Sequence, residues 1–147
     1  KPRAAPPRPM TAPFGKLGLL YVGTSTITRD IEYYVKVLGA KKLWHFREMG
    51  AEVAALRLCD GPFYLLADHR TAPSILPLFE VRDLRASAKA LKARGWKPEA
   101  RSFEIPPGPC YVFKDPSGNE LGIFENVRPH VMDDFGDEAD DRATPGP

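Results

Sequence analysis

Residues 112 to 125 read VFKDPSGNELGIFE: a β-rich run up to Lys114, a tight turn over Asp115-Pro116-Ser117-Gly118, and a second β-rich run from Asn119 to Glu125. Proline presets the backbone early in a turn, while glycine and Asp/Asn supply the bends and local hydrogen bonds that close it. This stretch is therefore a hairpin. Upstream, its first arm begins at Cys110, after a proline-rich connection from Ile105 to Pro109, and a further strand is expected over Trp96 to Phe103. Before that, Leu84, Ala88 and Leu91 form one helical stripe, with Asp83 placed as N-cap and Gly95 at the C-terminal turn. Ile75 to Val81 reads as a strand ahead of that helix, so this half has the order β, α, β, β, β.

The first half repeats the order. Lys16 to Val22 is β-rich, Thr24 to Thr28 offers helix caps, and Ile31, Tyr34, Val35 and Leu38 make an apolar stripe that Gly39 ends. Strands are expected over Lys42 to Glu48, Glu52 to Cys59 and Pro62 to Ala67, separated by Met49-Gly50 and Asp60-Gly61 turns. Two equal units in one chain predict an α+β domain over residues 14 to 128, with modules of about 14 to 70 and 74 to 128. Pro77 removes a ladder donor and predicts an edge or a bulge for its strand, beside the module boundary.

Composition bounds the rest. The 147 residues are 43% hydrophobic and 27% charged, as in one ordinary globular domain. No apolar run approaches the roughly 18 to 20 residues of a membrane span, and no signal-peptide pattern opens the sequence, so a cytoplasmic protein without a membrane partner is expected. A net charge of +2 gives no reason to expect a nucleic-acid partner. Cys59 and Cys110 have no metal or disulfide spacing and read as buried thiols. Residues 1 to 13 read as a flexible leader, and residues 129 to 147, with their run of aspartates and glutamates, as an acidic disordered tail.

The segment YYVKVLGAK, Tyr33 to Lys41, is similar to the helix end of glyoxalase and bleomycin-resistance proteins, and VFKDPSGNELGIFE resembles the turn and last strand of the same vicinal oxygen chelate superfamily. The resemblance implies two curved half-barrel sheets around a cup and a homodimer. Its enzymes hold a divalent metal in the cup through His and Glu. The positions that the resemblance assigns to those ligands carry Leu17, Ile75 or Leu76, and Gly122 here. None offers a coordinating side chain. No cofactor is therefore expected; the candidates for a displaced metal site are His45, His69 and Glu120, with Glu120 also a candidate acid or base.

The strands are rich in aromatics, and an aromatic cup with a few polar groups suits a flat or amphipathic ligand. Trp44, Phe46, Tyr64, Tyr111 and Phe113 are the expected ligand-binding rings, with Arg57 as a polar partner and Asp68, His69 and Glu120 as further polar candidates. Alternation puts Trp44 with Phe46 and turns His45 the other way. Cys110 is a nucleophile candidate without a visible base. The function expected is metal-independent binding and sequestration of a small apolar or aromatic compound, similar to antibiotic capture by bleomycin-resistance proteins. The alternative is a glyoxalase-like metal-dependent lyase, isomerase or dioxygenase with a displaced site; a third is a regulatory dimer whose cup its own side chains fill.

Overall fold

A computed structural model describes residues 12–48 and 50–133. The leader before residue 12, and the tail beyond 133 with its acidic run from Asp134, lie outside the described residues. Among the described residues, the strands are β1 (Leu17–Gly23), β2 (Lys41–Glu48), β3 (Ala51–Arg57), β4 (Phe63–Ala67), β5 (Ile75–Val81), β6 (Phe103–Ile105), β7 (Gly108–Lys114) and β8 (Glu120–Glu125). Helix α1 (Ile27–Glu32) runs into a π turn (Tyr33–Val37), and α2 is Leu84–Ala93. The eight strands form one curled sheet in the order β2-β3-β4-β1-β5-β8-β7-β6. Each module thus reads 2-3-4-1, and the second mirrors the first across the antiparallel β1–β5 joint, so the two halves pair within the chain.

Alternation along the strands sorts the core into two faces. Leu19 and Tyr21 of β1, Leu65, Leu76, Leu78, Cys110 and Phe124 fill the concave face together with Trp44. On the convex face, α1 covers Val22, Ala54, Leu56 and Leu66, while α2 covers Val81 and Ile123. Asp83 caps α2 by accepting from the Ala86 N–H at 3.0 Å, and Glu125 Oε1 accepts from Leu84 N–H at 2.9 Å. Ahead of α1, Thr24 and Asp30 bond through their side chains, and Thr24 Oγ1 accepts from Thr26 N–H at 3.3 Å.

Some expectations change. Trp96 to Phe103 is not a strand: only Phe103–Ile105 pairs, and the Trp96 ring packs on Tyr111 and Phe113 at 5.2 and 5.3 Å between centroids. Leu38 is exposed rather than part of the helical stripe, because the π turn adds a residue per turn and rotates the face. The strand bearing Pro77 is central, not an edge, but its pairing with β1 carries the other expected feature, a register shift opposite Leu78 and Phe79; Pro77 stands opposite Leu20, and pairing with β8 begins only at Leu78. The chain does not become tail at 129: Pro129–Met132 forms a 3-10 turn whose Val131 and Met132 pack into the concave core. Cys59 is exposed, whereas Cys110 is buried as expected.

Candidate functional site

The curl brings the outermost strands, β2 and β6, around a cavity of about 770 Å³. Trp44, Phe46 and Val53 form one wall, Phe103 to Pro106 the other, and Tyr21, Leu76, Leu78, Cys110 and Val112 the floor. That volume lies within the roughly 300–1,000 Å³ of small-molecule sites. The two wall rings, Trp44 and Phe46, stack at 4.6 Å. A shift in β2–β3 register between Lys42 and Trp44 lets both Leu43 and Trp44 enter the concave core, where Trp44 is fully buried. Its Nε1–H donates to Val131 O at 2.7 Å, so the segment after β8 fixes this ring.

Polar atoms reach the cavity from three places. Tyr21 comes from β1, and the His69 ring meets it edge-on at 6.2 Å between centroids. Arg70, in the loop after β4, donates to Glu120 Oε1 at 2.6 Å. Arg128 belongs to the return segment after β8 and holds the β6–β7 turn: its Nε–H donates to Pro106 O at 2.8 Å and its Nη2 to Ile105 O at 3.0 Å and Glu104 Oε1 at 2.5 Å. Burial holds the Tyr21 phenol far above its usual value; Cys110 adds to the rise and the Arg70 charge opposes it. Burial likewise pushes the Cys110 thiol up to about 12. Both keep their protons at neutral pH, which leaves Cys110 a poor nucleophile.

The residues do not suit the metal that the superfamily's enzymes hold. Leu17 pairs with Phe79, whose ring is on the helix-covered side, because the β1–β5 register shifts between Leu17 and Leu19; Leu19, opposite Leu78, supplies the first concave side chain of β1. At Gly122, a Cβ would lie 2.5 Å from both Leu78 Cδ2 and Tyr111 O, so no carboxylate side chain fits there. Among the described residues, no three His, Cys, Asp or Glu side chains converge.

Of the residues expected from sequence, Trp44, Phe46 and His69 border the cavity, and Glu120 reaches it through Arg70. Tyr64 does not: it packs against Tyr34 under α1 at 5.6 Å between centroids. Tyr111 and Phe113 lie with Trp96 under α2. Arg57 stacks on Phe63, 4.2 Å from the ring centre, and does not line the cavity. His45 faces away and bonds Glu52 Oε2 at 2.6 Å. Asp68 accepts from Glu52 N–H at 2.8 Å, which holds the β4 end against β3. Tyr64, Tyr111 and Phe113 leave the candidate set because adjacent strand residues face opposite sides, and theirs is the helix-covered one. Tyr21 and Arg70 carry weaker signals in the sequence: Tyr21 sits inside an apolar run, and Arg70 in an aperiodic loop.

No protein-family model and no curated protein matches the chain. Solved structures do. Methylmalonyl-CoA epimerase from Mycobacterium tuberculosis superposes with a TM-score of 0.71 at 15% identity, over 83% of this chain and 95% of that one. A variant of the Streptomyces coelicolor epimerase, in complex with 2-nitronate-propionyl-CoA, gives 0.65 at 12% identity, over 78% and 99%. A 2,2',3-trihydroxybiphenyl 1,2-dioxygenase from Sphingomonas wittichii gives 0.55 at 14% identity, over 74% of this chain and 41% of that longer one. The fold is the vicinal oxygen chelate fold, here built around an aromatic-walled cup.

Proposed function

We propose that this chain is a metal-independent binding protein that takes a flat apolar or aromatic compound into the cup and sequesters it. The observation that supports this best is the wall: Trp44 and Phe46 stack beside Leu76, Leu78 and Val112 around a cavity large enough for a two-ring ligand. Stacking and apolar burial supply affinity in such a site, while a few polar groups orient the guest. Binding asks no side chain to change protonation, which suits the protonated Tyr21 and Cys110. On this reading, apolar or aromatic antibiotics are within the ligand class. The protein works in the cytoplasm as a homodimer, and light scattering tests the dimer.

The test is calorimetric titration with a panel of two-ring arenes, together with elemental analysis of the purified protein. Arene binding without stoichiometric metal is the expected result, and Phe46→Ala should weaken it about tenfold through lost contact area. Stoichiometric metal would overturn sequestration in favour of a metal-dependent lyase, isomerase or dioxygenase. Failure of every arene to bind would overturn it too.

A further inference from the structure

Arg70 is the cavity's cation with donors to offer. A guanidinium carries five N–H donors in a planar fork. Glu120 takes one of them at 2.6 Å, from a position about one-third exposed, and does not itself line the cavity. Arg70 Nε is buried with no acceptor. The other lining cation, Arg128, is already engaged by two backbone carbonyls and Glu104. An orphaned buried donor is destabilising, and a guanidinium among apolar walls gains most from a planar anion.

The loop presents Arg70 on a fixed base. Asp68 N–H donates to Glu52 O at 3.1 Å and Arg70 N–H to Ala67 O at 3.4 Å. Beyond it, Ser74 Oγ donates to Thr71 O at 2.5 Å, and Gly23 N–H donates to Ser74 O at 3.1 Å. The loop lies so close to β1 that a Cβ on Gly23 would collide with Thr71 O. The Tyr21 phenol feels the charge of Arg70, and His69 borders the same end of the cavity. One end is therefore cationic and hydrogen-bonding, while Trp44, Phe46 and Phe103 make the rest aromatic.

Resting on the binding reading above, we infer that the natural ligand class is aromatic carboxylates, with the ring system against Phe46, which the buried Trp44 backs, and the carboxylate on the Arg70 guanidinium. The guest's carboxylate shares the Arg70 guanidinium with Glu120, which competes for the same cation.

Paired probes separate the two readings: 1-naphthoate against 1-naphthamide, and biphenyl-4-carboxylate against its carboxamide, each titrated calorimetrically. The wild type should bind each acid roughly 10- to 100-fold more tightly than its amide, the range of a charge-assisted hydrogen bond. Arg70→Gln should abolish that preference, costing each acid roughly 10- to 100-fold more affinity than its amide. Glu120→Gln should strengthen acid binding several-fold, the opposite sign. Equal wild-type affinity for acid and amide would overturn the carboxylate inference while arene binding stands. So would an Arg70→Gln loss shared equally by both members of a pair. If neither member binds, the binding reading falls, and this inference with it.

Discussion

Gly122 shows how packing leaves one position no room for a side chain. It pairs with Leu78 on the parallel β5–β8 joint, and the Leu78 side chain leans over it. Tyr111 O closes the other side, so an added methyl meets backbone that cannot swing away. Gly122→Ala should destabilise the fold by about 1–3 kcal/mol, the usual cost of overpacking a filled core. Chemical denaturation of the variant checks this, and unchanged stability would mean that β8 shifts freely. Leu78 itself is fully buried and forms part of the cavity floor, so the same side chain both blocks the ligand position and shapes the cup.

Among the elements, the β7–β8 hairpin best joins motif to mechanism. Asp115 Oδ1 accepts from the backbone N–H of Ser117 and of Asn119, each at 2.9 Å, and its Oδ2 accepts from Asn119 Nδ2 at 3.0 Å. Gly118 takes the left-handed conformation, φ 91°, that closes the turn. Hydrogen bonds from the Asn119 side chain and backbone, then from Ser117 and Gly118, hold the Asp115 carboxyl below its usual 3.8. A depressed folded value means that the carboxylate stabilises the fold above pH 3.8, and that this contribution fades as pH falls through the lower folded value. Wild type should thus be more stable than Asp115→Asn at neutral pH, and denaturation curves should converge in strong acid. A gap that persists there would assign the effect to packing instead. The turn is legible in the sequence because its residues bond one another locally. The short extent of β6 is legible only in part: Pro98, Glu99 and Ala100 are poor strand residues, but that pairing with β7 begins as late as Phe103 is decided by the fold.

At the scale of the molecule, the return segment after β8 ties the two ends of the sheet. Val127 and Arg128 N–H groups donate to Pro107 O at 2.9 and 3.0 Å, beside β6, and Val131 O receives the Trp44 indole from β2. These are the outermost strands, so the segment spans the mouth of the cup. Ending the chain after Asn126 should lower the melting temperature. In a Trp96→Phe background it should also shift Trp44 fluorescence to the red as that ring meets water. Unchanged emission would show that the cup keeps Trp44 dry without the segment.

Local sequence is enough to specify the doubled βαβββ order, the helix cap at Asp83 and the stop at Gly95, the hairpin turn, and the pairing of Trp44 with Phe46 on one face. Each follows from interactions or periodicities within a few residues. Which face of each strand is concave emerges only in the folded sheet, and that choice separates Trp44 and Phe46 from Tyr64, Tyr111 and Phe113. Folding also brings Arg70 to Glu120 across 50 residues and Trp44 to Val131 across 87. Those partners meet because the sheet curls and its halves mirror each other about β1–β5, a long-range consequence of packing that no local pattern encodes.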